Sequence, residues 1–336
     1  MIVQEHVSLK PYNSFGLDVN ACYFCELQER RDIALLQERK VFDTESYLII
    51  GEGNNILFTK DFEGYVIHNQ LRGIEIIEET TDTISLKVAA GEDWHAFVLY
   101  CCEKEWYGIE NLAYIPSTVG AAPVQNIGAY GTEIKNTVTT VEAYHIPTRE
   151  FVTLTQEQCK FGYRTSVFKD CAKQYIILSV TFQLSKIPQL NTTYKDINEA
   201  LRALDSQSTK ALDVANVVTQ IRKRKLPEPS ELGSAGSFFK NPVVSKARYE
   251  SLKNQYPAII SYSQENDVKL AAGWLIEQCG WKGYRQGEVG VYDKQSLILV
   301  NYGHATGQDI LALARKITAS VQQKFEIDLQ TEVNIL

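Results

Sequence analysis

Several residue types are scarce in this chain of 336 residues. It has one methionine, four tryptophans and five histidines. The histidines, at positions 6, 68, 95, 145 and 304, are spread too widely to form a local ligand motif, and no metal site is expected. No apolar run approaches the roughly 18 residues that a bilayer-spanning helix needs. The opening MIVQEHVSLK lacks the charged, apolar and small-residue regions of a secretion signal. A cytoplasmic location is therefore expected. Basic excess is missing as well: 34 Lys and Arg face 41 Asp and Glu, a net charge of −7. That balance excludes broad affinity for nucleic acid or anionic membrane and leaves room only for a local basic pocket. Seven cysteines, an odd number, do not make a complete disulfide framework, and a reducing compartment fits them better. Cys22 and Cys25 form a C-x-x-C, but no second pair follows at zinc spacing. A redox pair or half a zinc site is the sharper reading; two buried thiols on a strand is the plainer one, and it is adopted.

What is present is an apolar share of 44%, enough for a sizeable core and, by length, roughly two or three domains. Residues 1–70 read as strand, helix, strand, strand: ACYFCEL, RRDIALLQERK, SYLIIGEG and YVIHN, a small α/β unit. Over 71–187 strands dominate. In ISLKVAAG, Ile84, Leu86 and Val88 alternate with polar residues, and in LSVTFQL, Leu178, Val180, Phe182 and Leu184 do the same, so each strand buries one face. EDWHAFVLYCCEKEW predicts a helix. The long stretch 107–132, rich in Gly, Ala and Pro, is a loop of the kind that carries function. Near Leu190 the texture changes, and helices carry 188–320. TKALDVANVVTQIRKRK stops before Pro227, VKLAAGWLIEQCG stops at Gly280, and GQDILALARKITASVQQKF sets Ile310, Leu313, Ala314, Ile317, Val321 and Phe325 on one face. SLILVN is a strand. The final 321–336, FEIDLQTEVNIL in the main, alternates like a strand and is expected to rejoin an earlier sheet.

Three segments have the composition of phosphate cradles: GEGNN (Gly51, Gly53, Asn54, Asn55), IPSTVGAAP (Ser117, Gly120) and QNIGAYG (Gln125, Asn126, Gly128, Ala129, Tyr130, Gly131). Small residues let backbone N–H groups approach an anion closely. Tight turns are the bland alternative for each, and neither G-x-G-x-x-G nor the P-loop pattern is present. Taken together, they suit a ligand as long as a dinucleotide. In GSAGSFFKNP, at 233–242, a hydroxyl, an ammonium and an amide (Ser237, Lys240, Asn241) follow glycines closely.

SLKPYNSFGLDVNA, YLIIGEGNNILF, IPSTVGAAPVQNIGAYG, CKFGYRTSVFK, GSAGSFFKNPVVS and VKLAAGWLIEQCGWKG resemble the UDP-N-acetylmuramate dehydrogenase family, also called UDP-N-acetylenolpyruvoylglucosamine reductase. TTYKDI and FGYRTSVFK suggest its tyrosine-loop subtype. The resemblance implies an α+β chain: an FAD-binding fold of the vanillyl-alcohol-oxidase (PCMH) type in two subdomains, 1–70 and 71–187, a substrate-binding domain at 188–320, and a C-terminal strand, 321–336, returning to the FAD-binding part. It implies FAD as cofactor, NADPH as co-substrate, a UDP-sugar substrate in peptidoglycan precursor synthesis, and a monomer. In the family's reaction a hydride reaches C3 of an enolpyruvyl group and a proton reaches C2. Arg164 matches the cation that holds the carboxylate, Ser237 the proton donor and Glu332 the acid beside the same intermediate. Tyr194, Lys225, Asn241, Tyr262, Lys282 and Gln295 match substrate contacts. Apart from the resemblance, Arg164 reads as a surface ion pair, Ser237 as a turn hydroxyl, Glu332 as a surface glutamate, and the run Arg222 to Lys225 as a solvated helix end; of that run only Lys225 is assigned to the ligand. Ser117 stands where the family has glycine, and its Cβ is expected to restrict φ.

Two other readings remain open. One is a flavin oxidase of the same fold acting on another sugar or alcohol; such enzymes often attach flavin through His or Cys, and the cradle segments contain no histidine. The other is a non-catalytic nucleotide-binding protein, against which the joint presence of Arg164, Ser237 and Glu332 speaks.

Overall fold

A computed structural model describes residues 1–43, 46–171, 173–203, 209–228, 231–263 and 266–336. The chain forms two compact units: Met1–Val7, Ala21–Glu52 and Glu63–Arg224 make unit 1, and Ser8–Asn20, Gly53–Phe62 and Lys225–Leu336 make unit 2.

Unit 1 holds two larger sheets and, among the described residues, a small two-stranded one. The first orders Val3–Ser8, Asn20–Leu27, Phe62–Asn69 and Tyr47–Ile50, the last two parallel. Helix Asp32–Glu38 buries Ile33 and Leu36 in a cluster with Cys25, Leu27, Tyr47 and Ile67. Cys22 and Cys25 lie three residues apart on Asn20–Leu27, so they point to opposite faces of the strand, and only Cys25 is buried where both were expected to be. Burial, the main cause, pushes the Cys25 thiol up to about 11, which leaves it unreactive.

The second sheet is antiparallel, in the order Glu150–Thr155, Val138–His145, Tyr175–Ser185, Thr83–Ala89, Ile74–Glu79. The alternation seen in the sequence sets its register: Val180 opposes Val88, Phe182 opposes Leu86 and Leu184 opposes Ile84, all six buried. Helix Trp94–Glu103 covers that face, with Trp94 and Phe97 against Phe182. Asp93 starts it by accepting from the Ala96 N–H at 2.6 Å, an N-cap. The change of texture near Leu190 does not end the unit. Helices Lys195–Arg202 and Ala211–Lys225 bury Ile197, Val214, Ala215 and Val218 in the same core. Their apolar faces find partners on the strands before them, so the compact unit runs to Arg224 where 187 was expected.

Unit 2 is organised by the long helix Gly307–Phe325, opened by a capping box between Thr306 and Asp309. The apolar face read from the sequence is buried throughout, a contribution on the order of 10 kcal/mol for its six side chains. It packs on Val289–Val291 and Leu299–Asn301, which form an antiparallel sheet with Arg285–Gln286, while the Phe325 ring meets Tyr256 and Trp274. VKLAAGWLIEQCG is not one helix. Asp267–Leu270 is the central strand between Val243–Ser245 and Ser261–Ser263, and only Ala272–Gln278 is helical. Buried Val268 and Leu270 flank the less buried Lys269, a period of two that the helical reading overlooked. Helix Lys246–Gln255, capped by Ser245, was not expected. At the C-terminus the helix holds the chain to Phe325, and only Asn334–Ile335 is strand; it pairs in parallel with Ile56–Leu57, inside unit 2. Among the described residues no helix is long and apolar enough to cross a membrane.

Candidate active site

In unit 1 the Gly-rich segments meet. Gly51 follows strand Tyr47–Ile50 and lies against Thr118; a Cβ built on it would fall 2.5 Å from Thr118 Oγ1, so only glycine allows the approach. Buried Thr118 closes the next turn, its carbonyl accepting from the Ala121 and Ala122 N–H groups at 3.1 Å. The Gly120 N–H donates to Ala90 O at 2.8 Å. Ser117 is not among the residues at positive φ, so the expected restriction by its Cβ does not arise; its hydroxyl donates to the Thr118 carbonyl at 3.1 Å. A 3-10 turn, Ala122–Gln125, then leads to Asn126, fully buried at φ 45°. Asn126 Nδ2 donates to Glu133 Oε2 at 2.9 Å and to Gly162 O at 3.0 Å, and Oδ1 accepts from the Lys135 N–H at 3.2 Å. Its side chain is committed to the loop itself, and its N–H donates to Pro123 O at 3.4 Å, closing the 3-10 turn. Gly128–Ala129 and Thr132–Glu133 pair as a hairpin around Tyr130 and Gly131, both at positive φ (48° and 80°), as a type I′ turn requires.

Arg164 lands on this hairpin. It sits at φ 56° in the bend closed by Gly162 and Thr165, and its Nη2 donates to Gly128 O at 2.9 Å. A second guanidinium lies close by. Arg222 Nε donates to Tyr114 O at 2.9 Å, and burial, with the Arg164 charge as a further cause, lowers its pKa; a guanidinium stays charged all the same. Lys223 Nζ stands 5.2 Å from the centre of the Tyr114 ring. Among the described residues neither Arg222 nor Lys223 pairs with a carboxylate. Among three other basic residues Arg222 has the sequence context of a solvated helix end. Its spacing of four from buried Val218 and eight from Val214 was the signal that places it on the inner stripe. His95 Nδ1 accepts from the Tyr114 N–H at 3.0 Å; burial lowers its pKa, so the ring is neutral. Tyr194 precedes helix Lys195–Arg202, with its ring edge-on to Tyr130 at 5.6 Å.

Unit 2 carries the other predicted residues. Gly236, at φ 68°, turns the chain into Ser237, a position open to glycine and unfavourable for a side chain. The segment that follows lies between two others: Ser237 bridges Ile298, and Phe239 bridges Thr331. The Glu332 N–H donates to Phe238 O at 2.8 Å. Ser237 and Glu332 are therefore on adjacent extended segments, Glu332 opposite the residue after Ser237. Asn55 Nδ2 donates to Glu332 O at 3.3 Å, which makes Asn55 a support of that segment. Gly53 packs on the Tyr12 carbonyl, with half-buried Asn54 next to it. Ser14, whose N–H reaches Gly53 O at 3.4 Å, has a buried hydroxyl with no partner among the described residues. Asn241 Oδ1 accepts from the Ala272 N–H at 2.9 Å and so caps helix Ala272–Gln278. Lys225 ends its helix in solvent, Tyr262 is exposed beneath Lys269, Lys282 pairs with Glu277 at 3.0 Å, and Gln295 Oε1 faces Gly273. A groove of about 310 Å³ along helix Gly307–Phe325, lined by Phe239, Leu311, Arg315 and Thr331 among others, contains none of the predicted residues.

The comparisons follow this division of labour. The family model described as FAD binding domain matches residues 41–154, and that of the UDP-N-acetylenolpyruvoylglucosamine reductase C-terminal domain matches 228–336. UDP-N-acetylenolpyruvoylglucosamine reductase of Chromobacterium violaceum is 45% identical over 333 residues, covering 98% of each chain. The protein of that name from Amoebophilus asiaticus is 45% identical over 338 residues and the whole of both chains. The crystal structure of UDP-N-acetylenolpyruvylglucosamine reductase from Thermus caldophilus superposes with a TM-score of 0.68 at 24% identity, over 99% of each chain, and so shares the fold. With two relatives matched along their full length at this identity, the chain belongs to the UDP-N-acetylenolpyruvoylglucosamine reductase family.

Proposed function

We infer that this protein reduces the enolpyruvyl group of UDP-N-acetylglucosamine enolpyruvate to give UDP-N-acetylmuramate, with FAD as cofactor and NADPH as reductant, for peptidoglycan synthesis, and that it works as a cytoplasmic monomer. Family membership supports the reading. The observation that carries it is the seat of Arg164 on the Gly128 carbonyl, beside the loop that the FAD-binding family model covers.

The residues present fit a flavin dinucleotide. Gly51 lets the backbone close up against Thr118, the cations Arg222 and Lys223 lack carboxylate partners among the described residues, and Ser14 Oγ is a buried polar atom without a partner there. The groups to hold it are the backbone of Gly51, Gly53, Asn54, Ser117, Gly120, Gln125, Asn126 and the hairpin from Gly128 to Gly131, with Asn55 supporting. When bound, the flavin supplies a hydride relay between NADPH and the substrate.

The chain's own groups supply the rest. Hydride arrival at C3 builds negative charge on C2 and its carboxylate, and the planar Arg164 fork, already oriented by its bond to Gly128 O, stabilises that charge without reorganising. The Ser237 hydroxyl gives its proton to C2, and Glu332, on the adjacent segment, holds the local hydrogen bonding in place. Tyr194, Lys225, Asn241, Tyr262, Lys282 and Gln295 bind the nucleotide sugar; Asn241, its carbonyl used as a cap, keeps Nδ2 for this purpose. Ser237→Ala is expected to leave flavin reduction by NADPH intact and to slow reoxidation by the enolpyruvyl sugar. Equal loss in both half-reactions, followed by stopped-flow absorbance, overturns the role of Ser237.

A further inference from the structure

Asn111 joins two segments of unit 1 that lie far apart in sequence. It sits in the 3-10 turn Glu110–Leu112 and is almost fully buried. Its Nδ2 donates to Tyr130 O at 3.2 Å and to Asn191 O at 2.9 Å. Both amide hydrogens are used, and Oδ1 has no partner among the described residues. The flipped amide would turn an oxygen toward two carbonyls, so the orientation is settled. The turn is rigid: Glu110 Oε2 accepts from the Gly108 N–H at 2.7 Å, and the Trp94 indole donates to Leu112 O at 2.9 Å.

The two segments are held very unequally. The Gly128 to Gly131 hairpin has its own pairing, the Asn126 amide and the Arg164 bond. The stretch between strand Tyr175–Ser185 and helix Lys195–Arg202 has no ladder. Its start is tied by Lys186, bonded to Asp82 O and Glu79, and Leu190 packs on the core; further along, its bonds include, besides those of Asn111, one of 3.5 Å from Asn198 Nδ2 to Thr192 O, those between Asn191 and Thr193, and the contact of Tyr194 with Tyr130 and Gly131. We propose that Asn111 is a positioning residue that clamps the Tyr194-bearing segment to the hairpin and so presents Tyr194 to the nucleotide-sugar substrate. The substrate part of this proposal rests on the function inferred above.

Asn111→Leu keeps the volume and removes both bonds; Asn111→Ala, which admits water, serves if the leucine variant does not fold. Hydrogen–deuterium exchange on the FAD-loaded enzyme is expected to be about tenfold faster in residues 188–194 and unchanged in 126–133. The KM for the enolpyruvyl sugar rises about tenfold while NADPH reduction of the flavin stays within about twofold. In a Tyr194→Ala background the change at Asn111 adds little further loss, because both act through one contact. Unchanged exchange in 188–194 overturns the clamp whatever the enzyme turns over. Additive losses with Tyr194→Ala, or loss of flavin together with both half-reactions, overturn the positioning role. Wild-type enzyme that does not reoxidise with the sugar overturns the functional reading, and the exchange result still decides the clamp.

Discussion

Replacing Asn126 by alanine isolates what holds the cofactor loop in shape. The side chain is fully buried and makes three hydrogen bonds, two of them to backbone groups, Gly162 O and the Lys135 N–H. Alanine leaves both backbone groups without that partner, at about 1–3 kcal/mol each. The third bond matters less, because Glu133 keeps Lys135 at 3.0 Å. The residue also sits at φ 45°, where asparagine is tolerated and alanine adds about 1 kcal/mol. The sum is about 3–7 kcal/mol, and in a unit of this size each kcal/mol moves Tm by about 2–4 °C. Thermal melts of FAD-free protein are therefore expected to show a loss of roughly 6 to 28 °C, with a matching drop in urea stability and weaker FAD binding. Asn126→Gly, free of the φ penalty, is expected to be about 1 kcal/mol less damaging. Should Asn126→Ala melt within about 1 kcal/mol of the wild type, the amide is not the staple described.

Other outcomes follow from the same geometry. Gly51→Ala forces a methyl onto Thr118 Oγ1 and is expected to weaken FAD affinity about tenfold or more; Thr118→Ala in the same chain restores most of it, as a fluorescence titration can check. His95 has a pKa below its ordinary 6.5 and accepts from the Tyr114 N–H, so the fold favours the neutral ring. Its contribution is complete above pH 6.5 and is lost as pH falls through the folded value. His95→Asn, which keeps an acceptor without the titration, is expected to flatten the fall of Tm between pH 7 and pH 5, with buried His68 still contributing. Glu332→Gln keeps the backbone bond to Phe238 O and is expected to slow reoxidation by the sugar by about 100-fold, with NADPH reduction unaltered in stopped-flow traces.

Much of this was legible in the sequence wherever a period met a partner nearby. The alternation of Ile84, Leu86 and Val88 and the stripe from Ile310 to Phe325 became a sheet register and a buried helix face. The Gly-rich segments were recognisable as backbone that must come close, and Gly51 against Thr118 is that closeness. Other features have no local signature. Residues 8–20 and 53–62 join unit 2 through contacts hundreds of positions away, such as Asn301 Nδ2 to Phe15 O and the pairing of Ile56–Leu57 with Asn334–Ile335. The two hydrogen bonds of Asn111 depend on carbonyls at 130 and 191, and a single asparagine in a loop announces neither. Arg222 was hidden by its neighbours: three further basic residues made the run look solvated, although its helical phase placed it inward. VKL was absorbed into the following helix because a strand of four residues gives periodicity too little length to declare itself.

The central claim is that one chain carries electrons from NADPH through a bound flavin to an enolpyruvyl nucleotide sugar. The most direct test is an anaerobic absorbance titration of the purified FAD-loaded protein, with NADPH first and UDP-N-acetylglucosamine enolpyruvate second. The expected result is a flavin spectrum that bleaches with NADPH and returns in full with the sugar. A reduced spectrum that persists after the sugar is added contradicts it.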